Sequence, residues 1–270
     1  MKAILSVEDV IRQAVSSDAY NDIHPGVIRR VCETESRKGL KSRELVKAIR
    51  NRLHQIGGAY LPGDVNPAAF AGELAPLPRG LSSPEIQDFC RRKMENHAST
   101  RERLPFVEHF FHDVLAGLPP VTSVIDLACG LTPLAIPWMP LPAGVEYSAL
   151  DMYSRLAKSL QVFFDHFGFN GKAETADIVS APFEKQYDVA FILKTLPCLE
   201  QQGKGLATAL VDRVNAKTLV ISYPLRTLGG SRKGLGATYE SDFNRLAEGR
   251  DWQIARFEFP NELVFRVTHS

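Results

Sequence analysis

From Val7 to about Tyr60 the apolar positions recur at helical spacing: Val7, Val10, Ile11, Ala14 and Val15, then Ile28 and Val31, then Leu45, Ala48, Ile49, Leu53 and Ile56. His24-Pro25-Gly26 and Lys38-Gly39-Leu40-Lys41-Ser42 punctuate this region, and Ser42 is placed to cap the helix that carries Glu44 and Leu45. Between Leu61 and Pro84 the composition shifts to Pro, Gly and Ala, which predicts a linker or domain boundary. Helices are predicted again over 84–93 and 101–115. From Thr122 onward short apolar runs alternate with amphipathic stretches. Strands are predicted at 123–127, 145–150, 173–177, 187–193, 218–222, 252–259 and 263–268, with helices over 152–167, 199–214 and 240–248. Such alternation indicates a mainly parallel sheet covered on both faces. Phe259-Pro260-Asn261-Glu262 is too short for a crossover, so the last two strands are expected to form an antiparallel hairpin. The predicted organisation is an N-terminal helical domain over 1–78 and an α/β domain over 79–270, the latter with a helical lead-in at 84–117.

The ends of the predicted strands carry the candidate chemistry. Val124-Ile125-Asp126-Leu127-Ala128-Cys129-Gly130 reads as a buried strand that ends in acid and opens into a small-residue turn. In open α/β sheets ligands bind at that carboxyl edge. Asp151 closes the next strand, where a carboxylate offers two acceptors to a ribose diol, and Asp177 closes the third, where an acceptor meets an adenine amino group. The turn holds one glycine and lacks the G-x-G-x-x-G spacing that seats a pyrophosphate. The expected ligand therefore carries adenosine without phosphates, which points to S-adenosylmethionine. Five alternating strands followed by a hairpin match the class I methyltransferase pattern: α/β, Rossmann-like, a mainly parallel seven-stranded sheet, here with an N-terminal all-helical domain.

Composition narrows the class further. The chain has 270 residues, 44% hydrophobic and 23% charged, as in ordinary soluble proteins. No apolar run approaches the roughly 20 residues of a membrane span. The start, Met1 to Asp9, turns acidic too soon for a signal peptide, so a cytoplasmic protein is expected. Cys32, Cys90, Cys129 and Cys198 form no C-x-x-C pair, so neither a structural metal nor a disulfide framework is expected. Net charge is only +1, but Arg37, Lys38, Lys41, Arg43, Lys47, Arg50 and Arg52 face a single acid, Glu44, within that stretch. Clustering of this kind is the footprint expected of a phosphate-backbone contact, and equally of a solvated helix face.

Four strings carry a resemblance: His97-Ala98-Ser99-Thr100-Arg101-Glu102-Arg103-Leu104-Pro105, Asp126 to Ala135, Leu193-Lys194-Thr195-Leu196-Pro197 and Pro260-Asn261-Glu262-Leu263. Together they resemble the aminoglycoside-resistance 16S rRNA (guanine-N7) methyltransferases of the sisomicin–gentamicin resistance type. The resemblance covers nearly the whole chain. It implies methyl transfer from S-adenosylmethionine to N7 of a guanine in the decoding A site, with the assembled 30S subunit as partner and no metal. It places Arg103 on the methionine carboxylate, with His97, Ala98 and Ser99 at the same end and Ala128 and Gly130 along the amino-acid moiety. It assigns Asp151 to the ribose, Asp177 and Ile178 to the adenine, Leu193 to the cofactor's cover and Tyr60 to a lid, and it brings Gln202 up to the cofactor. Lys194 and Glu262 are implied in target engagement. Guanine N7 carries a lone pair and no proton, so no catalytic acid or base is expected.

RNA docking is expected from Arg29, Arg30, Arg37, Lys38, Lys41 and Arg43. The glycine-rich loop with Arg226, Arg232 and Lys233 is expected to order on RNA. A methyltransferase for another substrate and a non-catalytic RNA-binding assembly factor are the competing readings. A monomer is expected.

Overall fold

The computed structural model describes Arg12, Val15 and residues 20–58, 65–225 and 235–269. Tyr60, Arg226, Arg232 and Lys233 lie outside the described residues.

Seven strands form one sheet: β1 (Ser123–Leu127), β2 (Glu146–Asp151), β3 (Gly171–Thr175), β4 (Tyr187–Leu193), β5 (Ala216–Pro224), β6 (Trp252–Phe259) and β7 (Glu262–His269). Their order is β3-β2-β1-β4-β5-β7-β6. The first five run parallel, and β7 inserts antiparallel between β5 and β6. The chain therefore reverses direction across the sheet between β1 and β4, and a crevice opens at their carboxyl ends.

The helices are α1 (Pro25–Ser36), α2 (Ser42–Leu53), α3 (Pro67–Leu74), α4 (Pro84–Met94), α5 (Ala98–Arg103), α6 (Val107–Leu115), α7 (Ser154–Phe167), α8 (Leu196–Gln202), α9 (Leu206–Arg213) and α10 (Leu235–Ala247). In α7 the residues Leu156, Leu160, Phe163 and Phe164 form the buried stripe, and Gly168 ends the helix at a φ of 58°. Gly171 must be glycine for a packing reason: a Cβ there would sit 2.4 Å from the Phe164 ring.

Local chemistry explains the departures from the predicted elements. The Pro/Gly/Ala-rich stretch contains α3, which starts where Asn66 Oδ1 accepts from the amides of Ala68 and Ala69 and Pro67 takes the first helical position. Phe70 and Leu74 of α3 belong to the same apolar cluster as Val124, Tyr147 and Phe191 of the sheet. The single helix predicted over 101–115 is split by Pro105 into α5, a 3₁₀ turn at Leu104–Phe106 and α6. The helix predicted over 199–214 divides at Gly203 and Gly205 into α8 and α9. β3 pairs with β2 only as far as Thr175 opposite Asp151, so Asp177 lies beyond the strand rather than closing it.

Helices α1 and α2 have their own apolar cluster of Ile23, Val27, Ile28, Val31, Cys32, Leu45, Ile49 and Leu53. It is joined to the sheet at the loop after β2, since Met152 and Tyr153 pack against it. Asp22 fixes that junction. Its backbone oxygen accepts from Ser154 N at 2.8 Å, and its Oδ1 accepts from Ser154 Oγ at 2.7 Å and Arg155 N at 2.6 Å. Asp22 thus caps α7 from a distant segment. Asp22→Ala is expected to lower stability by about 1–2 kcal/mol, the worth of a lost cap. Urea denaturation of the two proteins at pH 7 checks it.

Candidate functional site

A cleft opens at the carboxyl ends of β1, β2 and β4. Of the residues predicted for the site, His97, Ser99, Ala128, Asp151, Asp177, Ile178, Leu193, Lys194 and Gln202 line it. Cys129, Thr132 and Tyr153 line it as well, and the helical unit contributes Val27, Arg30 and Ile56. Val27, Arg30 and Ile56 were not predicted for the cleft, and Tyr60, the N-terminal residue that was, lies outside the described residues. Ala98 is buried, and Gly130, Arg103 and Glu262 stand behind the lining.

The turn after β1 is held in an unusual backbone state. Ala128 has a φ of 54° and Gly130 of 51°, the left-handed region that favours glycine. At Gly130 a Cβ would also lie 2.7 Å from the His97 ring. Gly130 N donates to Asp151 Oδ2 at 2.9 Å, and Tyr153 N donates to Asp151 Oδ1 at 3.1 Å. Burial pushes the Asp151 carboxyl up to about 6 against the lowering effect of these amide donors. The Met152 amide also lowers it, and the carboxylate's remaining acceptor capacity is what a hydroxyl would use. Burial first, then the positive charges of Arg103, Lys194 and Arg101, lower His97 to about 4, so its ring is neutral near pH 7.

Beneath the turn, Asp126 Oδ2 accepts from Tyr147 Oη at 2.8 Å, while its Oδ1 is buried without a hydrogen-bond partner. Burial raises the carboxyl to about 7, opposed by the Tyr147 bond and the Arg103 charge. A carboxyl raised on folding stabilises below its unfolded value near 4 and loses that contribution as pH rises through about 7. Asp126→Asn is therefore expected to be more stable than the native protein at pH 8, on the order of 2–4 kcal/mol, and to gain nothing at pH 4. Thermal melts at the two pH values check this.

Four charges meet behind the cleft. Arg103 Nε and Nη2 donate to Glu262 Oε2 and Oε1 at 3.1 and 2.6 Å, and both side chains are fully buried. Ser222 Oγ donates to Glu262 Oε1 at 2.5 Å. The Arg103 guanidinium stacks 4.5 Å above the Phe110 ring, and its Nη1 is buried with no partner. Lys194 Nζ donates to Glu102 at 2.7 Å and lies 3.6 Å from Glu262. Lys194 has a φ of 58° and its side chain is 6% exposed, so it is held in the cleft wall rather than standing out in solvent. Glu262 is sealed away from the cleft and orients Arg103 and Lys194. The target engagement implied for Glu262 thus finds no exposed acceptor here, its carboxylate being fully buried against Arg103, Ser222 and Lys194.

The basic residues separate into two groups. Arg29, Arg37, Lys38, Lys41, Arg43 and Lys47 are exposed. Lys38, however, donates to both oxygens of the buried Glu35 at 2.8 and 2.7 Å, and Arg52 reaches the same carboxylate at 3.4 Å. Arg30, predicted as a docking group, instead turns into the cleft and donates from Nε and Nη2 to Asp177 at 3.1 and 3.0 Å. Among the described residues no cluster of three or more His, Cys, Asp or Glu is placed to hold a metal, and no helix is long and apolar enough to cross a membrane.

Residues 16–266 match the family described as Ribosomal RNA methyltransferase (FmrO). The chain is 33% identical over 264 residues to a 16S rRNA (guanine(1405)-N(7))-methyltransferase of Micromonospora rosea, covering 96% of each. It is 36% identical over 268 residues to the enzyme of that name from Frankia casuarinae, covering 96% of this chain and 93% of the relative. Among solved structures, the 16S rRNA methyltransferase RmtF in complex with S-adenosyl-L-homocysteine superposes with a TM-score of 0.84 at 28% identity, covering 99% of this chain and 100% of RmtF. With a cleft at the β1–β4 crossover and matches that span nearly the full chain, this protein belongs to the FmrO family of ribosomal RNA methyltransferases.

Proposed function

We propose that the protein transfers a methyl group from S-adenosylmethionine to N7 of a guanine in the decoding A site of 16S rRNA. The substrate is the assembled 30S subunit in the cytoplasm, and the added methyl and its positive charge obstruct aminoglycosides that bind there. The observation that carries the cofactor half is the cleft itself: a single-glycine turn with no phosphate cradle, facing Asp151 on β2. The relatives' shared activity supports the target.

The residues present fit the cofactor. Asp151, fixed by two amide donors, has acceptor capacity left for the ribose hydroxyls. Arg103 is locked on two sides by Glu262, and its unpartnered Nη1 is the donor a methionine carboxylate would satisfy. Ile178 and Leu193 give the apolar walls against which an adenine packs. When bound, S-adenosylmethionine supplies an electrophilic methyl on sulfur.

Guanine N7 needs no deprotonation to attack, so this chain's own residues work by alignment and by excluding water. Holding two reactants in line is worth about 7–11 kcal/mol. The neutral His97 ring and the buried Cys129, whose thiol burial pushes well up, agree with a site that moves no protons. Lys194 lines the cleft beside Glu102, and a base swung out of the RNA would meet it there through its O6 or phosphate.

Tritiated S-adenosylmethionine offered with purified small subunits, naked 16S rRNA and a control protein tests the proposal. Label confined to the subunits supports it. Label on the control protein supports a different substrate, and no label with no S-adenosylhomocysteine binding leaves the assembly-factor reading.

A further inference from the structure

Arg30 is unusual among the basic residues of the helical unit. It stands three residues after buried Val27 and one before buried Val31, on the inner stripe of α1, whereas its neighbour Arg29 is exposed. Its guanidinium spends every edge inside the cleft. Nε donates to Asp177 Oδ2 at 3.1 Å, Nη2 to Asp177 Oδ1 at 3.0 Å and Nη1 to Gln202 Oε1 at 2.8 Å. The Arg30 side chain is 22% exposed and that of Asp177 only 3%. The helix that delivers this fork is itself anchored, since His24 N donates to Met152 O at 2.8 Å and Asp22 caps α7.

We propose that Arg30 is a positioning residue of the cofactor cleft, acting through Asp177 and Gln202 and making the helical unit part of that site. The inference rests on the adenosyl reading given above. An ionised carboxylate offers about four acceptor positions. Asp177 Oδ1 uses its two on Arg30 and on Val179 N at 3.2 Å, while Oδ2 uses one on Arg30. One acceptor position on Oδ2 therefore remains for an amino N–H, and the ion pair orients that oxygen without consuming it. Gln202, bridged by the same guanidinium, is set by the same clasp. A planar fork is required because three donors must reach two partners at once, which an ammonium cannot reproduce.

Calorimetry with S-adenosylhomocysteine on the native protein, Arg30→Ala, Arg30→Lys, Gln202→Ala and the Arg30/Gln202 double variant tests this, with thermal melts to confirm folding. Arg30→Ala is expected to bind about ten-fold to a hundred-fold more weakly, as for loss of hydrogen bonds to a charged group. Arg30→Lys is expected to recover part of that, and the double variant to lose less than the sum of the singles. Subunit binding is measured against salt in parallel. Arg30→Ala should leave the slope unchanged, whereas loss of a phosphate contact would reduce it by about one. An Arg30→Ala affinity within about two-fold of native, or a slope reduced by one, overturns the proposal. Should Arg30→Ala fail to fold, Arg30→Lys carries the test: native affinity in that variant overturns it. Failure of the native protein itself to bind S-adenosylhomocysteine would instead sink the cofactor reading beneath it.

Discussion

Glu262→Ala is expected to cost about 3–5 kcal/mol of stability, because it leaves the Arg103 charge unpaired in the core. Both side chains are fully buried and share two hydrogen bonds, and Ser222 and Lys194 also face the same carboxylate. Burial alone would raise the Glu262 carboxyl; the charges of Arg103 and Lys194, with the Arg103 and Ser222 hydrogen bonds, outweigh it and hold it below its ordinary value. A carboxyl lowered on folding stabilises above its unfolded value, about 4.3, and loses that contribution as pH falls through the folded one. The native protein should therefore lose stability below about pH 4 more steeply than Glu262→Ala does. Glu258→Ala is the control. Its pair with Arg256 is half exposed, and such pairs are worth at most about 1 kcal/mol. Urea midpoints at pH 7 decide the matter: equal midpoints for the two variants would contradict this account of the buried network.

Replacing Arg37, Lys41 and Arg43 together by Glu is expected to abolish subunit binding at physiological salt. Affinity for S-adenosylhomocysteine should stay within about two-fold, since the substitutions share no partner with the cleft. Phosphate contacts act by releasing counterions, and each one lost should flatten the dependence of log K on log salt by about one. Lys38 is left in place deliberately. It neutralises the buried Glu35, whose other cation, Arg52, sits at 3.4 Å, so reversing its charge would unsettle the helical unit and confuse the result. Salt-dependent filter binding of the triple variant checks this, and native-like binding would show that the exposed cluster is only a solvated helix face.

How much of this was legible beforehand depended on how local each signal was. The strands were readable because buried β-branched and aromatic runs such as Tyr187–Leu193 have few alternatives, and the short Pro260-Asn261 turn required the hairpin that β6 and β7 form. Helix α3 was missed because prolines and glycines were read as breakers. Asn66-Pro67 is in fact a start signal, with the cap first and proline in the first turn. Asp151 could be placed by counting along the chain, as its strand ends at the cleft. Arg30 could not, because its partner Asp177 is 147 residues away and charge clustering grouped it with its exposed neighbours. A signal was available all the same. Val27, Arg30 and Val31 share one stripe, as do Ile28, Cys32 and Glu35, and a charged residue on a buried stripe implies a partner. The pairing of Arg103 with Glu262 spans 159 residues and carries no local trace.

The reaction is methyl transfer to one ring nitrogen of one guanine. N7-methylguanine is cleaved by borohydride reduction followed by aniline, so primer extension on 16S rRNA from treated subunits reads the site directly. A single new stop is expected, in the decoding A site, that appears only with S-adenosylmethionine and disappears with Asp151→Ala. Methyl label incorporated into the subunit without any borohydride–aniline scission would contradict it.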